Sequence, residues 1–597
     1  MRTVPQIIMG RVHSLNKGVS TKDNRATGSK PWLKYYSDEY INGQPPQCTM
    51  YEMVRGGCEE NNRWNDTAIS FFGARLTYRE ILTRIDEYAA AFARWGIKRG
   101  QYVSFLTVSL PESLCEIYAL NKLGAVCNFI DVRTDAPHVR EYIRKAKSEV
   151  LIALDRTFGA VGEHLDELGL RLVICHDPAE SLPPLKKLAY RLKVKRYDIP
   201  FDGKRVMRDA DFARLGQGQT APAVEYEPDM PAVVTRTGGT TGVSKGVVLT
   251  NDSMNAISWN FRASVVGKLE RHSSLLNFLP LGVSYGIAVG MHVALSLGLE
   301  DILIPNFKPE EFDRLVLKYR PNHIIAVPTF YQRLITSPLL RGKDLSFIRT
   351  MAAGGDSAND ALEDRLEEFR REHGIPYPIS QGYGLSEVSS AASFGFQNIH
   401  KKGSAGIPCL TTEIAAFRPD TTEELPLGEV GELCITGNSM MKEYLGEPEE
   451  TEHIMRLHLD GKKWIHTGDL GYVDEDGFVF IVGRIKRAIP RFDGHKVYPL
   501  QLERVVMQHP AVRNCVAIAI KDREHAQGLL PLMIVELADK AQVGEKMRAE
   551  LKKHCLNEIE LRSQPADVIF VDKIPLTQMA KNDYRALEKE YGDYNYL

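Results

Sequence analysis

From Ala68 onward, short apolar runs alternate with segments whose apolar residues recur at helical spacing, and few architectures accept that rhythm. Arg75 to Tyr78 reads as a short strand leading into a helix that runs through Trp95 and stops near Gly96. Tyr102 to Val108 reads as strand, Pro111 to Leu123 as helix and Ala125 to Ile130 as strand, and the pattern returns at Val150 to Ala153 and Leu172 to Cys175. Alternation of this kind predicts α/β layers with largely parallel sheets. After Thr411 the texture changes to short strands with Gly-rich turns, as at Gly428 to Gly437 and Asp474 to Phe480. From Ile485 the chain is again mixed α/β and ends in a Lys/Glu-rich tail. At 597 residues it is long for one core, so two or more domains are expected.

One loop interrupts the rhythm. Pro231 to Thr250 packs four glycines, five threonines and a serine around Lys245. A bare, hydroxyl-rich loop with a lysine near its end suits phosphates, but the P-loop spelling, Gly-Lys-Ser/Thr opening a helix, is absent. Ala232 to Val234 before the loop and Val247 to Leu249 after it both read as strand. The element is therefore strand–loop–strand.

Charge and cysteine usage narrow the partners. With 75 basic and 77 acidic side chains the net charge is -2, which gives no electrostatic case for nucleic acid. The nine cysteines are scattered, without Cys-x-x-Cys pairs or histidines at metal-ligand spacing, which predicts reduced thiols, a cytoplasmic protein and no zinc site. No apolar run reaches a membrane span, the nearest being Gly286 to Leu299. The N-terminus carries Arg2, Arg11 and Lys17 but no secretory apolar core; a basic lead-in is preferred to a transit peptide. In Pro183 to Tyr197, Leu185, Leu188 and Leu192 share a helical face, with Lys186, Lys187, Arg191 and Lys195 around the rest. Such a helix suits a membrane surface or plain solvent, and the solvated reading, without peripheral membrane contact, is the expectation.

Four further stretches carry chemistry. In Ser380 to Ser390, the Tyr383 ring between Gly382 and Gly384 suits stacking on a purine, and Glu387 suits a hard cation; the same pieces also make an ordinary turn. In Trp464 to Ile489, Asp469 sits in a Thr-Gly-Asp turn after a strand and Arg484 follows the next hairpin, a pairing suited to sugar hydroxyls or a phosphate. Met351 to Ala358 is a second Gly-rich turn after a buried strand. Last, Lys581 lies in a loop before the final helix, where a lone lysine is usually solvated.

Together and in this order, the five stretches resemble the adenylate-forming superfamily of acyl-CoA synthetases, peptide-synthetase adenylation domains and firefly luciferase, from Trp32 to the C-terminal tail. The resemblance implies α/β architecture: a large N-terminal domain of layered α/β subdomains plus a β-rich subdomain, then a small mobile α+β domain. The implied bounds are 1–31 for an N-terminal extension, 32–484 for adenylation and 485–597 for the mobile domain. It implies ATP-dependent conversion of a carboxylic acid to acyl-AMP with release of pyrophosphate, then transfer to coenzyme A. Thr237, Gly238, Gly239, Thr240, Thr241, Gly242 and Lys245 match the phosphate loop, and Thr240 with Glu387 would bind Mg²⁺. Gln381, Gly382, Tyr383, Gly384 and the Gly354, Gly355 and Asp356 backbone would surround adenine, with Ser386 by the α-phosphate. Asp469 and Arg484 would hold the ribose, and Lys581 would bridge the α-phosphate and the substrate carboxylate. Domain rotation about Lys486 would bring Gly494 and His495 toward the incoming thiol.

The chain departs from the family pattern. Gly238 replaces Ser, Ser244 replaces Pro, and Ala580 replaces the Gly before the lysine, all without loss of a charged group. Gly282 and Val283 stand where the family often has an aromatic and His, which implies an apolar acyl pocket for a fatty or aryl acid and none for a free amino acid. Competing readings are an acyl-AMP ligase that loads a separate carrier protein, and a degenerate nucleotide-binding scaffold. The second sits poorly with Lys245, Glu387, Asp469, Arg484 and Lys581 all being present.

Overall fold

The computed structural model describes residues 24–194, 197–237, 244–264, 269–355, 360–525, 527–577 and 581–596. Gly238, Gly239, Thr240, Thr241, Gly242 and Asp356 lie outside the described residues, as do Lys195 and Ala580.

Two large sheets carry the N-terminal part. One has eight strands, with Val126–Phe129, Tyr102–Leu106, Val150–Leu154 and Leu172–His176 as its parallel centre. Pro231–Arg236 joins this centre in parallel at Val126–Phe129 and then pairs antiparallel with Gly246–Thr250. The two strands expected on either side of the Gly-rich stretch are thus observed. The other sheet has nine strands, and Ser274–Asn277, His323–Ala326, Thr350–Ala353 and Ser380–Tyr383 run parallel in it.

Helices fill the space between the sheets. Tyr78–Arg94 starts on a capping box in which the Thr77 side chain and Glu80 satisfy each other's backbone N–H. Pro111–Lys122 is buried on every side, because a layer covers each of its faces. Tyr118 of this helix reaches the Nδ1 of His292 at 3.2 Å. His292 belongs to an unusual nine-residue π-helix, Tyr285–Val293, that follows the Phe278–Gly286 stretch.

A third, five-stranded sheet holds Thr412–Phe417, Gly431–Gly437, Lys463–Val473 and Val479–Arg484, consistent with the β-rich texture expected after Thr411. The short helix Ala26–Ser29 packs on it, with Thr27 bonded to Glu424. One local expectation is corrected here. Asp469 does not lie in a turn after a strand: the strand Lys463–Val473 continues through it. Thr467, Gly468 and Asp469 form a bulge in that strand, with Gly468 at φ +70°, because Glu432 pairs with Leu470 and Cys434 with His466. The chain then passes through a 3-10 turn, Ile485–Arg487, into a three-stranded sheet of Val512–Lys521, Leu529–Leu537 and Asp567–Phe570. Helices Pro499–Met507 and Glu545–Glu558 cover one face of it and Tyr584–Tyr591 the other.

Candidate active site

A cavity of about 1150 Å³ opens at the carboxyl ends of the parallel strands, where open α/β sheets place their ligands. Thr350–Ala353 delivers Gly354 and Gly355 to its wall, and Gly355 turns with φ +82°, a value that favours glycine. A Cβ on Gly354 would lie 3.0 Å from the Tyr285 hydroxyl, so the backbone passes close against that ring. Ser380–Tyr383 delivers Gly382 and Tyr383, followed by Gly384, Ser386 and Glu387. Gln381 is different: it is buried in the same strand and does not contribute to the wall.

Two strands of the β-rich sheet bring in the next pair. Asp469 and Arg484 are direct partners in the antiparallel register, and Arg484 Nε donates to Asp469 Oδ1 at 2.6 Å. The Tyr383 hydroxyl donates to Asp469 Oδ2 at 2.7 Å. Burial, then the Asp469 charge, pushes the Tyr383 phenol up, and the same carboxylate raises the Arg484 guanidinium. The phenol is thereby kept neutral and the guanidinium charged.

Glu387 lies in the 3-10 turn Ser386–Val388, not in an α-helix. Its Oε1 accepts from Tyr444 at 2.6 Å, and burial raises its carboxyl although that hydrogen bond opposes the shift. Ser386 donates to the Arg236 carbonyl at 3.4 Å and accepts from Ser284 at 3.3 Å.

The phosphate-type loop is clasped at its base. Thr237 N donates to Lys245 O at 3.1 Å, Lys245 N to Thr237 Oγ1 at 3.2 Å, and Ser244 Oγ to Thr237 O at 2.6 Å. Thr237 lines the cavity but Lys245 does not. Its ammonium pairs with Glu450 Oε2 at 2.5 Å and lies 4.9 Å from the centre of the Tyr444 ring.

Lys581 comes from the far end of the chain and lines the same cavity. Thr577 N donates to its carbonyl at 2.7 Å, which pins the loop just ahead of Tyr584–Tyr591. Lys486, Gly494 and His495 lie off the cavity wall. Lys486 is in the 3-10 turn after Arg484, Gly494 has φ +82°, and His495 contacts Ser563 Oγ and Glu560 at 3.0 Å each.

Gly282 and Val283 line the cavity, but their surroundings are less apolar than the sequence alone suggests. A Cβ on Gly282 would lie 3.5 Å from the Asp131 backbone, and Asp131 and Arg133 join the wall. Burial alone would raise the Asp131 carboxyl, but Arg133, paired with it at 2.6 Å, holds it below the usual range. Beyond them the lining is aromatic and aliphatic: Phe278 stacks on Phe307 at 4.1 Å and Phe330 closes on both.

Sequence reasoning did not single out Arg236, Tyr444 or the Asp131–Arg133 pair. Arg236 fixes the loop stem: Nη2 donates to Asn128 Oδ1 at 2.6 Å, and the guanidinium lies 4.1 Å from the Tyr142 ring centre. Its one signal was a charge in an apolar strand next to the loop.

Comparison with known proteins identifies the family. The family model for "AMP-binding enzyme" matches residues 59–445, and that for "AMP-binding enzyme C-terminal domain" matches 501–581. The chain is similar to a long-chain-fatty-acid–CoA ligase of Bacillus subtilis (strain 168), 28% identical over 95% of this chain and 99% of the relative. It is also similar to 4-coumarate–CoA ligase CCL1 of Humulus lupulus, at 26% identity over 85% and 88%. Among solved structures, the anthranilate CoA ligase AuaEII in complex with anthranoyl-AMP aligns with TM-score 0.77 and 20% identity, covering 92% of this chain and 98% of that one. A Mycobacterium tuberculosis fatty acyl CoA synthetase aligns with TM-score 0.64 and 24% identity, covering 91% and 98%.

Proposed function

The chain belongs to the AMP-binding enzyme family, and from that premise we propose that it is an AMP-forming acid–CoA ligase acting on an apolar carboxylic acid. One observation carries the reading. Lys581, from the C-terminal region, lines one cavity with Thr237, Tyr383, Glu387 and Arg484 of the N-terminal region.

Carboxylates are weak nucleophiles and ATP phosphates repel them, so the site has to supply positive charge where the two meet. Lys581 supplies it by holding the attacking carboxylate and the α-phosphate together. Arg484 and Asp469 grip the ribose, while Tyr383 and the Gly354 and Gly355 backbone flank the purine. The Thr237 clasp presents the loop to the departing pyrophosphate, with Lys245 exchanging Glu450 for phosphate. Glu387 is a carboxylate on the cavity wall with one oxygen held by Tyr444, a hard donor that fits Mg²⁺. Thr240 and Glu387 would hold that cation, which would offset phosphate charge.

We set the domain boundary between Arg484 and Ile485, with Lys486 as the hinge. We read the place of Lys581 on the cavity wall as the adenylating arrangement, and a rotation about Lys486 would exchange it for the Gly494–His495 segment before coenzyme A attacks. The nine thiols are unpaired, which supports a reducing, cytoplasmic setting. The aromatic wall of Phe278, Phe307 and Phe330 favours fatty or aryl acids, and a role in fatty acid metabolism is part of the proposal.

Pyrophosphate exchange into ATP, measured with hexanoate to palmitate, benzoates and free amino acids, tests the first half-reaction. Exchange with at least one apolar acid, followed by consumption of free coenzyme A, is expected. Exchange without coenzyme A consumption would move the acceptor to a carrier protein, and no exchange with any acid would overturn the proposal.

A further inference from the structure

The helix Pro184–Lys193 is built the wrong way round for a helix that packs on its own protein. At about 100° per residue, Leu185, Leu188, Ala189 and Leu192 gather on one stripe, and an amphipathic surface helix normally buries such a stripe. Here Leu185 is 84% exposed, Leu188 59% and Leu192 79%, and no residue of the helix is buried.

The polar side faces the protein instead. Lys187 pairs with Glu180 at 2.9 Å, and Arg191 with Asp177 at 3.2 Å and Glu180 at 3.4 Å. Lys186 donates to the Phe72 carbonyl. Tyr190, half-buried on the inner side, lies within electrostatic reach of Asp155 and Arg156, and Arg156 is part of the cavity wall. Salt bridges thus hold the leucines outward close to the site. Val194 and Tyr197, also exposed, extend the apolar surface.

Charge selects the occupant. Pro184–Lys193 contains Lys186, Lys187, Arg191 and Lys193 and no acid, although the whole chain is slightly acidic. Lys186 and Lys193 fall at one edge of the leucine stripe and Arg191 at the other. Against Asp177 and Glu180, the two acids that pair with them, the four cations leave a net positive face. Leucines on such a face suit the headgroup boundary of an anionic bilayer, where the stripe enters the acyl region and the exposed Lys193 meets lipid phosphates. We propose that this helix docks the protein on an anionic lipid surface with the Leu185–Leu188–Leu192 stripe buried in the leaflet. The helix is exposed, as the solvated reading from sequence expects, and the proposal adds an occupant for its uncovered leucines.

Co-sedimentation of the full chain with phosphatidylglycerol/phosphatidylcholine vesicles and with pure phosphatidylcholine vesicles tests the proposal. Binding to the anionic vesicles, weakened by salt, is expected, with a loss of about tenfold or more in L185E/L188E/L192E. The control L457E/L459E changes two other exposed leucines, 68% and 93% exposed, and is expected to bind as the parent does. A retained thermal midpoint shows that the triple variant is folded, and single Leu188→Ser supplies a milder version. The proposal is overturned if the parent ignores anionic vesicles, if the folded triple variant binds them undiminished, or if the stripe instead holds two copies of the chain together in sedimentation velocity. None of these readouts depends on which acid is activated.

Discussion

Asp469 and Arg484 face each other across adjacent antiparallel strands, and the carboxylate that takes the arginine on one oxygen takes the Tyr383 hydroxyl on the other. Three chain segments therefore share one buried carboxylate at the cavity edge. Tyr383→Phe removes one of its hydrogen bonds, a loss of about 1–1.4 kcal/mol, and should raise KM for ATP about five- to tenfold. Asp469→Ala should raise it further, because it strands both partners. Steady-state exchange kinetics at varied ATP check this, and an unchanged KM in Asp469→Ala would remove the pair from nucleotide binding.

Lys581→Ala should lower acyl-AMP formation by about 10²–10³, the usual cost of one aimed donor. Thiolysis of supplied acyl-AMP by coenzyme A should persist. Single-turnover measurement of each half-reaction separates the two, and an equal fall in both would mean that Lys581 does not serve adenylation alone.

Lys245 has to leave Glu450 to reach a phosphate. Their side chains are 35% and 49% exposed, and pairs so placed are worth at most about 1 kcal/mol. Glu450→Gln should accordingly lower KM for ATP by no more than about fivefold, while Lys245→Ala should raise it. A higher KM in Glu450→Gln would mean that the pair positions the lysine instead of restraining it.

Gly282 has room for a Cβ at ordinary contact distance from Asp131, so Gly282→Leu should fold and shorten the acyl cavity. Loss of about tenfold or more in kcat/KM is expected for long or bulky acids, with hexanoate less affected. Free amino acids should remain poor substrates, since Arg133 already occupies the Asp131 carboxylate that their ammonium group would need. A chain-length panel decides both points. Equal losses for all acids would place the acyl chain elsewhere.

A buried cluster away from the cavity sets a pH dependence. Burial favours neutral His176, but Glu116, 2.8 Å from its Nε2, outweighs burial and raises the imidazole to about 9. Burial, then Glu116, also pushes Asp209 up. A folded pKa above the ordinary ~6.5 means that the His176 contribution is complete below about pH 6.5 and lost as pH rises through 9. The thermal midpoint should fall between pH 7 and 9.5, and the double variant E116Q/H176N should flatten that slope. An equal slope in the folded double variant would assign the pH dependence to other groups.

The readable parts of this molecule were local. Pro231 to Thr250 announced two strands because apolar runs flank its glycines, and those two strands pair antiparallel. Asp469 and Arg484 were singled out separately, and their partnership follows from the turn at Asp474–Phe478 that folds one strand onto the other. What stayed hidden depends on contacts between distant segments. Asp131 reaches Gly282 from the other sheet, Tyr444 reaches Glu387, and Glu450 takes Lys245, and no periodicity encodes such meetings. The scattered cysteines showed no ligand spacing, yet the fold gathers Glu432, Cys434 and His466 within 4.8 Å. Gln381 looked like its neighbours in sequence, and its place off the cavity wall sets it apart, since Ser380 and Tyr383 are as buried as it is.

The π-helix Tyr285–Val293 has a consequence for how this protein can diversify. It begins at Tyr285, a residue of the cavity wall, and carries more residues per turn than an α-helix would. Deleting a single residue there would let the segment relax to α-helical winding, changing which of its side chains face the cavity. Tyr285 and Val293, wall residues at its two ends, would then turn relative to one another. Lineages descended from such a chain could exchange one acid for another by insertion or deletion, leaving every catalytic group untouched.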